Sequence, residues 1–430
     1  MDTIFALSSA KGKAGIAVIR ISGPAAREAA TRIGGDCPCP RRASLQRLKL
    51  SDGSHLDSAI VIYFPAGGSY TGEETMELHV HGGVATVAAL HRELAKCDGL
   101  RPAEAGEFTL QALLNGKLSL DEVEGLGDLI QAETEAQRRQ ALKLYSGALS
   151  ERVEEWRRSL LDCAALIEVT LDFSDEELPP GTLAQAEAAI AEAEDRLQRE
   201  ARGSKIAERI RDGFEVAIVG PPNSGKSTLL NALAGRDAAI TSERAGTTRD
   251  VIELRMDLGG LPVTLLDTAG LRDAEDPIEK IGVDRARQRA SQADLRVFLV
   301  QDEDALPTTP ERMPGDLVLR AKADLLDPPP KQSVSGKTGF GIAEMTDAII
   351  RELGERSATS LTAAHARHRE AINDALAHLS QARAEMRKPG RTEVAAEEIR
   401  QAIRALESLV GRIGTEQVLG RIFAGFCIGK

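Results

Sequence analysis

Gly220-Pro221-Pro222-Asn223-Ser224-Gly225-Lys226-Ser227 fits the pattern G-x-x-x-x-G-K-[ST], follows the apolar run Phe214–Val219 and leads into the helix-forming Thr228-Leu229-Leu230-Asn231-Ala232-Leu233. Backbone N–H groups in such a loop, with a helix N-terminus behind them, suit phosphate oxygens. Lys226 would neutralise the β/γ-phosphates and Ser227 would hold Mg²⁺, with Asn223, Ser224, Gly225 and Thr228 lining the same cradle. Asp267-Thr268-Ala269-Gly270 closes a second apolar run, Val263–Leu266. An acid there can hold the Mg²⁺ shell, and the Gly N–H can sense the γ-phosphate. Between the two lies Gly246-Thr247-Thr248-Arg249-Asp250, placed to be a switch segment in which the Thr248 hydroxyl completes the metal site. D-x-x-G alone is common, but three strings in this order and spacing are not, and a nucleotide phosphate is the expected ligand.

Base choice is written less plainly. A guanine site usually carries Asn-Lys-x-Asp after the next strand, and here the run is Ala321-Lys322-Ala323-Asp324. The Asp324 carboxylate can still accept from two guanine N–H groups, while loss of the Asn side chain would cost roughly 1–2 kcal/mol. Ser335-Gly336-Lys337 would touch the base from the other side. The bland alternative is that Lys322 and Asp324 are loop charges. Gly270 is followed by Leu271, which cannot orient an attacking water as the usual Gln does. Glu279, in Asp276-Pro277-Ile278-Glu279-Lys280-Ile281-Gly282, is the candidate to position water, against a reading as a solvated helix-face acid.

These residues need a scaffold, and the 430-residue chain is long enough for several domains. Residues 1–117 mix short apolar runs such as Gly15–Ile21 and Ser58–Phe64 with a helix-like stretch from Val84, predicting a small α/β domain. Residues 118–210 turn helical, with Ala186, Ile190, Ala193 and Leu197 on one predicted face. Residues 211–353 carry the βα rhythm of a parallel sheet. Residues 354–430 return to helix, with one stripe at Ile372, Leu376 and Leu379 and another at Ile399, Ile403, Leu406 and Val410. The expected fold class is multidomain α/β plus all-α, with a P-loop (Ras-like) α/β domain inserted between two helical segments that pair.

Composition narrows the partners. Against 66 acids stand 54 bases, a formal charge of −12, so nucleic acid would need a local patch or a helper protein. Aromatics at 3% exclude a broad base-stacking platform. No apolar run reaches the roughly 18 residues of a membrane span, the N-terminus does not read as a secretory signal, and the cytoplasm is the expected location. Five cysteines exclude a disulfide scaffold. Cys37-Pro38-Cys39 reads as a loop pair, and His79-Val80-His81 puts both imidazoles on one strand face without a third metal ligand.

Over its whole length the chain resembles the tRNA modification GTPases of the MnmE (TrmE) family. The likeness is carried by Asp2-Thr3-Ile4, Arg20-Ile21-Ser22-Gly23, Tyr70-Thr71-Gly72-Glu73-Glu74, His79-Val80-His81-Gly82-Gly83, Gly106-Glu107-Phe108-Thr109, Leu114-Asn115-Gly116-Lys117-Leu118, the strings above, and the terminal Phe426-Cys427-Ile428-Gly429-Lys430. The resemblance implies an N-terminal α/β domain that binds folate and dimerises the protein, and a helical domain interrupted by the G domain. It implies a potassium-stimulated GTPase whose Asn223 ligates K⁺. The switch stretch Ser242-Glu243-Arg244-Ala245-Gly246-Thr247-Thr248 would close on that ion, with oxygens around Ser242, Arg244 and Thr247 completing the cage. Glu279 takes the position of the family's water-orienting Glu.

The implied reaction is C5 modification of the wobble uridine of tRNA, adding an aminomethyl- or carboxymethylaminomethyl-type group. The homodimer would act with a flavin-containing MnmG (GidA)-type protein in a heterotetramer or larger complex. The one-carbon unit would come from a tetrahydrofolate derivative (5-formyl- or 5,10-methylene-tetrahydrofolate), with Arg20, Glu77 and Lys117 at folate-contacting positions and Lys430 nearby. Cys427 has two readings, a thiolate that adds to uracil C6 or a residue shaping the folate pocket. Two other functions share the G-domain strings. One is a regulatory or ribosome-assembly GTPase acting as a nucleotide-dependent switch, and the other is a P-loop ATPase, encouraged by Ala321.

Overall fold

The computed structural model describes residues 2–172, 181–235, 239–240, 253–267, 288–301, 310–358, 362–412, 419–420, 422–423 and 425–429, the side chain of Asp172 excepted. By packing, the chain forms two compact units, one of residues up to Gly127 together with those from Glu407, the other Asp128–Leu406.

The first unit is built on a six-stranded sheet of order β3-β4-β5-β2-β1-β6. Its strands are β1 (Thr3–Leu7), β2 (Ala14–Ser22), β3 (Ser44–Lys49), β4 (His55–Phe64), β5 (Thr75–Gly82) and β6 (Leu100–Pro102). Only β6 runs parallel to its neighbour, β1. Alternation along β2 and β5 sends Ala17, Ile19, Ile21, Met76, Leu78 and Val80 into a core with α1 (Ala26–Gly34) and α2 (Val84–Leu94). The opposite alternation places Arg20, Glu77 and His79 on the other sheet face, where they are half-buried. Helix α3 (Glu107–Leu114) buries Phe108 against Ile4, Ala6 and Ala103 in a second, smaller core.

Helix α4 (Leu120–Gln131) begins among residues of the first unit and ends among those of the second, whose first complete helix, α5 (Glu135–Tyr145), Thr134 and Gln137 open with a capping box. The long α6 (Ala148–Asp172) and α7 (Thr182–Asp212) follow, and α7 buries Ala186, Ile190, Ala193 and Leu197 as their spacing requires. Helix α7 packs against α6 and against a helix beyond the sheet, α10 (Ala366–Met386). The stripe of α10 runs through Ile372, Ala375 and Leu379, with Leu376 only half-buried. In α11 (Thr392–Leu409) it ends on Leu409 and not Val410, because the helix stops at Leu409 and Val410 falls in the turn that follows, only half-buried. Glu200 of α7 ties the chain where it returns from the sheet. Buried to 1% exposure, its carboxylate accepts from the Thr362 N–H at 2.9 Å, the Thr362 hydroxyl at 2.9 Å and the Ala363 N–H at 3.1 Å.

Between α7 and α10 lies a six-stranded sheet of order β12-β11-β10-β7-β9-β8. It comprises β7 (Phe214–Val219), β8 (Glu253–Leu258), β9 (Leu261–Asp267), β10 (Leu295–Val300), β11 (Leu317–Ala321) and β12 (Ser333–Val334). All neighbours run parallel except the hairpin β8–β9. One face packs on α8 (Lys226–Ala234) and α9 (Ile342–Ser357), the other buries Ala217, Val219, Phe298 and Ala290. Apolar burial on both faces explains the unbroken runs that marked these strands in the sequence.

A buried ion pair braces the sheet. Arg296, 4% exposed, donates from Nε to Asp316 Oδ2 at 2.7 Å, while Asp316 also accepts from the Arg296 N–H at 2.9 Å and the Met313 N–H at 2.7 Å. Removing one partner strands a buried charge, so Asp316→Ala is expected to cost roughly 3–5 kcal/mol. Urea unfolding of the variant checks this, and a loss under about 1 kcal/mol would contradict it.

Candidate functional site

The nucleotide-type site sits at the carboxyl ends of β7 and β9, where open parallel sheets present ligands to the following loops. Gly220 must be glycine, since a Cβ there would lie 2.7 Å from the Leu299 carbonyl oxygen and 2.8 Å from Ser224 Oγ. Asn223 and Gly225 take left-handed φ values of 62° and 94°, which curl the loop back onto the first turn of α8. Lys226 lies inside that curl, 6% exposed, donating from Nζ to the carbonyls of Gly220 at 2.8 Å and Pro221 at 2.9 Å. Ser224 Oγ is buried without a hydrogen-bond partner among the described residues, as befits a loop shaped for a polar guest.

Ser227 Oγ donates to Asp267 Oδ2 at 3.0 Å, so the structure brings together the two residues that the sequence assigns to one Mg²⁺. A hydroxyl and a carboxylate are hard oxygen donors of the kind Mg²⁺ takes, and Asp267 is only 4% exposed. The donor set fits. Of the residues that the resemblance gives as K⁺ ligands, Asn223 lies on the exposed rim of the loop. Ser242, Glu243, Arg244, Ala245, Gly246, Thr247, Thr248, Thr268, Ala269, Gly270, Glu279 and Lys430 lie outside the described residues.

The base loop forms from the ends of β11 and β12. Lys322, at a left-handed φ of 58°, starts a single 3₁₀ turn, Ala323–Leu325, that exposes Asp324. Ser335 Oγ donates to Asp324 Oδ1 at 2.6 Å, and this bond, with Lys337 and Lys322 nearby, holds the carboxyl below the usual range for Asp. Ionised, it is the acceptor that a pair of N–H donors needs. Asp324, Ser335, Gly336 and Lys337 are thus gathered in one loop cluster.

The first unit assembles a second site from residues far apart in sequence. Arg20 pairs across strands with Glu77, donating to Oε1 from Nε at 3.1 Å and Nη2 at 2.9 Å, and Glu77 Oε2 lies 3.2 Å from His79 Nε2. The guanidinium lies over the rings of Tyr70, at 5.4 Å, and Phe108, at 5.6 Å. Tyr70 and Phe108 carry no signal for this role in the sequence, because loop and helix meet Arg20 only after the sheet forms. Asn115 Nδ2 donates to the Thr71 carbonyl at 2.8 Å and Lys117 Nζ to the Gly67 carbonyl at 2.7 Å, so one loop links Lys117 to Tyr70. A planar heterocycle with a charged tail matches this mixture of ring faces, an acid and bases.

The C-terminal string joins the same unit. Ile428 bridges Ala105 antiparallel, Gly106 N–H reaches the Cys427 carbonyl at 3.4 Å, and a Cβ on Gly429 would sit 2.0 Å from the Leu7 carbonyl oxygen. Cys427 itself is exposed. His81 is bound to Asp57, with Nδ1 2.8 Å from Oδ1, and among the described residues no group of three metal-ligating side chains occurs. None of the helices described is long and apolar enough to cross a membrane.

The sheet and its loops define a P-loop nucleotide-binding protein. Family models then account for nearly all of the chain, one described as the MnmE helical domain over residues 120–427 and one as the GTP-binding protein TrmE N-terminus over residues 3–117. The chain is 55% identical to the tRNA modification GTPase MnmE of Cereibacter sphaeroides, 54% to that of Ruegeria pomeroyi and 53% to that of Roseobacter denitrificans, each match covering 100% of both chains. It belongs to the MnmE family of tRNA modification GTPases.

Proposed function

We propose that the chain is a potassium-activated GTP hydrolase that drives C5 modification of the tRNA wobble uridine. It would act as a cytoplasmic homodimer with a flavin-containing MnmG-type partner and take its one-carbon unit from a tetrahydrofolate derivative. The observation that carries the reading is the phosphate loop with Lys226 folded into it and Ser227 bonded to Asp267, within a chain of this family.

Lys226 would leave the Gly220 and Pro221 carbonyls for β/γ-phosphate oxygens, an exchange of neutral acceptors for charged ones. Ser227, Asp267 and Thr248 would hold Mg²⁺, which when bound neutralises phosphate charge. Asn223 with oxygens around Ser242, Arg244 and Thr247 would hold K⁺, which supplies the positive charge an arginine finger gives elsewhere. With Leu271 unable to orient water, Glu279 takes that role. Glu279→Ala is therefore expected to slow hydrolysis by roughly 10²-fold with little change in GTP affinity. Stopped-flow binding beside steady-state turnover separates the two, and a joint collapse would make Glu279 structural.

Folate recognition distinguishes this reading from a regulatory or ribosome-assembly GTPase, in which the Phe426-Cys427-Ile428-Gly429-Lys430 terminus and the Tyr70–Glu74 string have no role. Titration of the full chain with 5-formyltetrahydrofolate tests it. Arg20→Ala, which removes a charge-assisted contact, is expected to weaken binding about tenfold or more. Absence of folate binding in the wild-type chain would favour the switch. The acidic total of the chain supports a division of labour in which the partner carries most of the tRNA footprint.

A further inference from the structure

The turn of the β8–β9 hairpin is seated on the first turn of α5. Leu258 pairs with Leu261 across Gly259 and Gly260, whose φ values of 62° and 85° make the two-residue turn that joins twisted antiparallel strands. Asp257 Oδ1 accepts from the Gly260 N–H at 2.7 Å and fixes the turn from within. From outside, the Gly260 carbonyl accepts at 3.0 Å from the Ala136 N–H, one of the donors that the start of a helix leaves without an internal partner. The turn also meets α9, for a Cβ on Gly259 would lie 3.0 Å from Ile350 Cγ2. Helix α5 passes the contact on. Gln137 Nε2 donates to the Arg211 carbonyl at 2.9 Å and Gln140 Nε2 to the Ala207 carbonyl at 2.7 Å, both towards the end of α7. Hairpin, α5 and α7 are therefore joined in series.

The other end of the same hairpin lies in the phosphate site. The 7 residues of β9 set Asp267, bonded to Ser227, roughly 20 Å from the turn. Pairing from Glu253–Leu266 to Leu258–Leu261 holds the two strands together along their whole length, so the hairpin moves as one piece. We infer that it is a lever between the phosphate site and the helical part of this unit. Gly260 bears on Ala136, and Gln137 and Gln140 are positioning residues that carry the movement to α7. When Ser227 and Asp267 take up Mg²⁺, the hydrogen bond between them is given up and the Asp267 end of the hairpin is displaced. Paired and metal-bound arrangements of Ser227 and Asp267 are the two states that such coupling requires. The inference rests on the nucleotide reading of the site and adds a route out of it.

Hydrogen exchange followed by mass spectrometry on the full-length protein tests it, with the chain alone, with GDP and Mg²⁺, and with a non-hydrolysable GTP analogue and Mg²⁺. In the wild-type chain, segments 133–141 and 203–212 are expected to change their exchange rates together, by about threefold or more, when the analogue and Mg²⁺ bind. Gln137→Glu combined with Gln140→Glu removes both amide donors to α7, while Glu at the third helical position keeps the capping box. That double variant should retain the response of 133–141 and lose that of 203–212, and it should hydrolyse GTP within about twofold of the wild-type rate. Exchange at 133–141 that is the same in every state, while the phosphate loop becomes protected, would overturn the inference. So would a double variant in which 203–212 still responds. A phosphate loop that gains no protection from either nucleotide would instead remove the nucleotide reading, before any variant is made.

Discussion

Lys226→Ala will abolish measurable GTP turnover, with a loss of roughly 10²–10³-fold or more, in a protein that still folds. The size follows from where the side chain lies. Its ammonium is held in the loop by two carbonyls of the same loop, 2.8 and 2.9 Å away, so only a local exchange of acceptors brings it to the phosphate oxygens. Once on the phosphate, a charge held by this loop needs little further reorganisation as negative charge shifts across the β/γ bridge, which makes its removal felt more in the transition state than in the ground state. Steady-state rates with a binding titration check this. Turnover within about tenfold of wild type would mean that the loop is not the catalytic phosphate site.

The nucleotide site was legible because its parts are local. Gly220 to Ser227 is one continuous turn, and the positive φ of Gly225 and the close approach of Gly220 to Leu299 are demands that glycine alone meets cheaply. The strands that carry it were legible too, since residues 216–219 and 263–266 are buried on both faces and read as nearly unbroken apolar runs. The second site was not assembled in advance from spacing. Arg20 meets Glu77 through the β2–β5 register, Tyr70 and Phe108 arrive from a loop and a helix, and Cys427 reaches Gly106 only because the C-terminal segment packs with the first unit. Such long-range pairings depend on register and topology, which a local string does not encode. Two stripe positions also differ: Ala375 is buried where Leu376 is half-buried, and Val410 falls just past the end of its helix at Leu409, a boundary the spacing does not mark.

The second large effect concerns the cation. Leu271 removes the usual water-orienting side chain, and the loop instead offers Asn223 at a left-handed turn on its exposed rim. An amide oxygen is a suitable ligand for a weakly bound monovalent ion, and selectivity for one such ion over another follows from cavity size and ligand number. On this account K⁺ held by Asn223 and the switch-loop oxygens would supply positive charge against the developing phosphate charge, and the smaller Na⁺ would be held less well by the same residues. Asn223→Ala should then equalise the two salts by removing the extra rate in K⁺, while leaving GTP affinity nearly intact.

The most direct measurement is GTP turnover by the full-length protein in KCl and in NaCl at equal ionic strength and saturating Mg²⁺. The account predicts a rate about tenfold or more higher in K⁺, and no difference between the salts for Asn223→Ala. Equal wild-type rates in the two salts would contradict it.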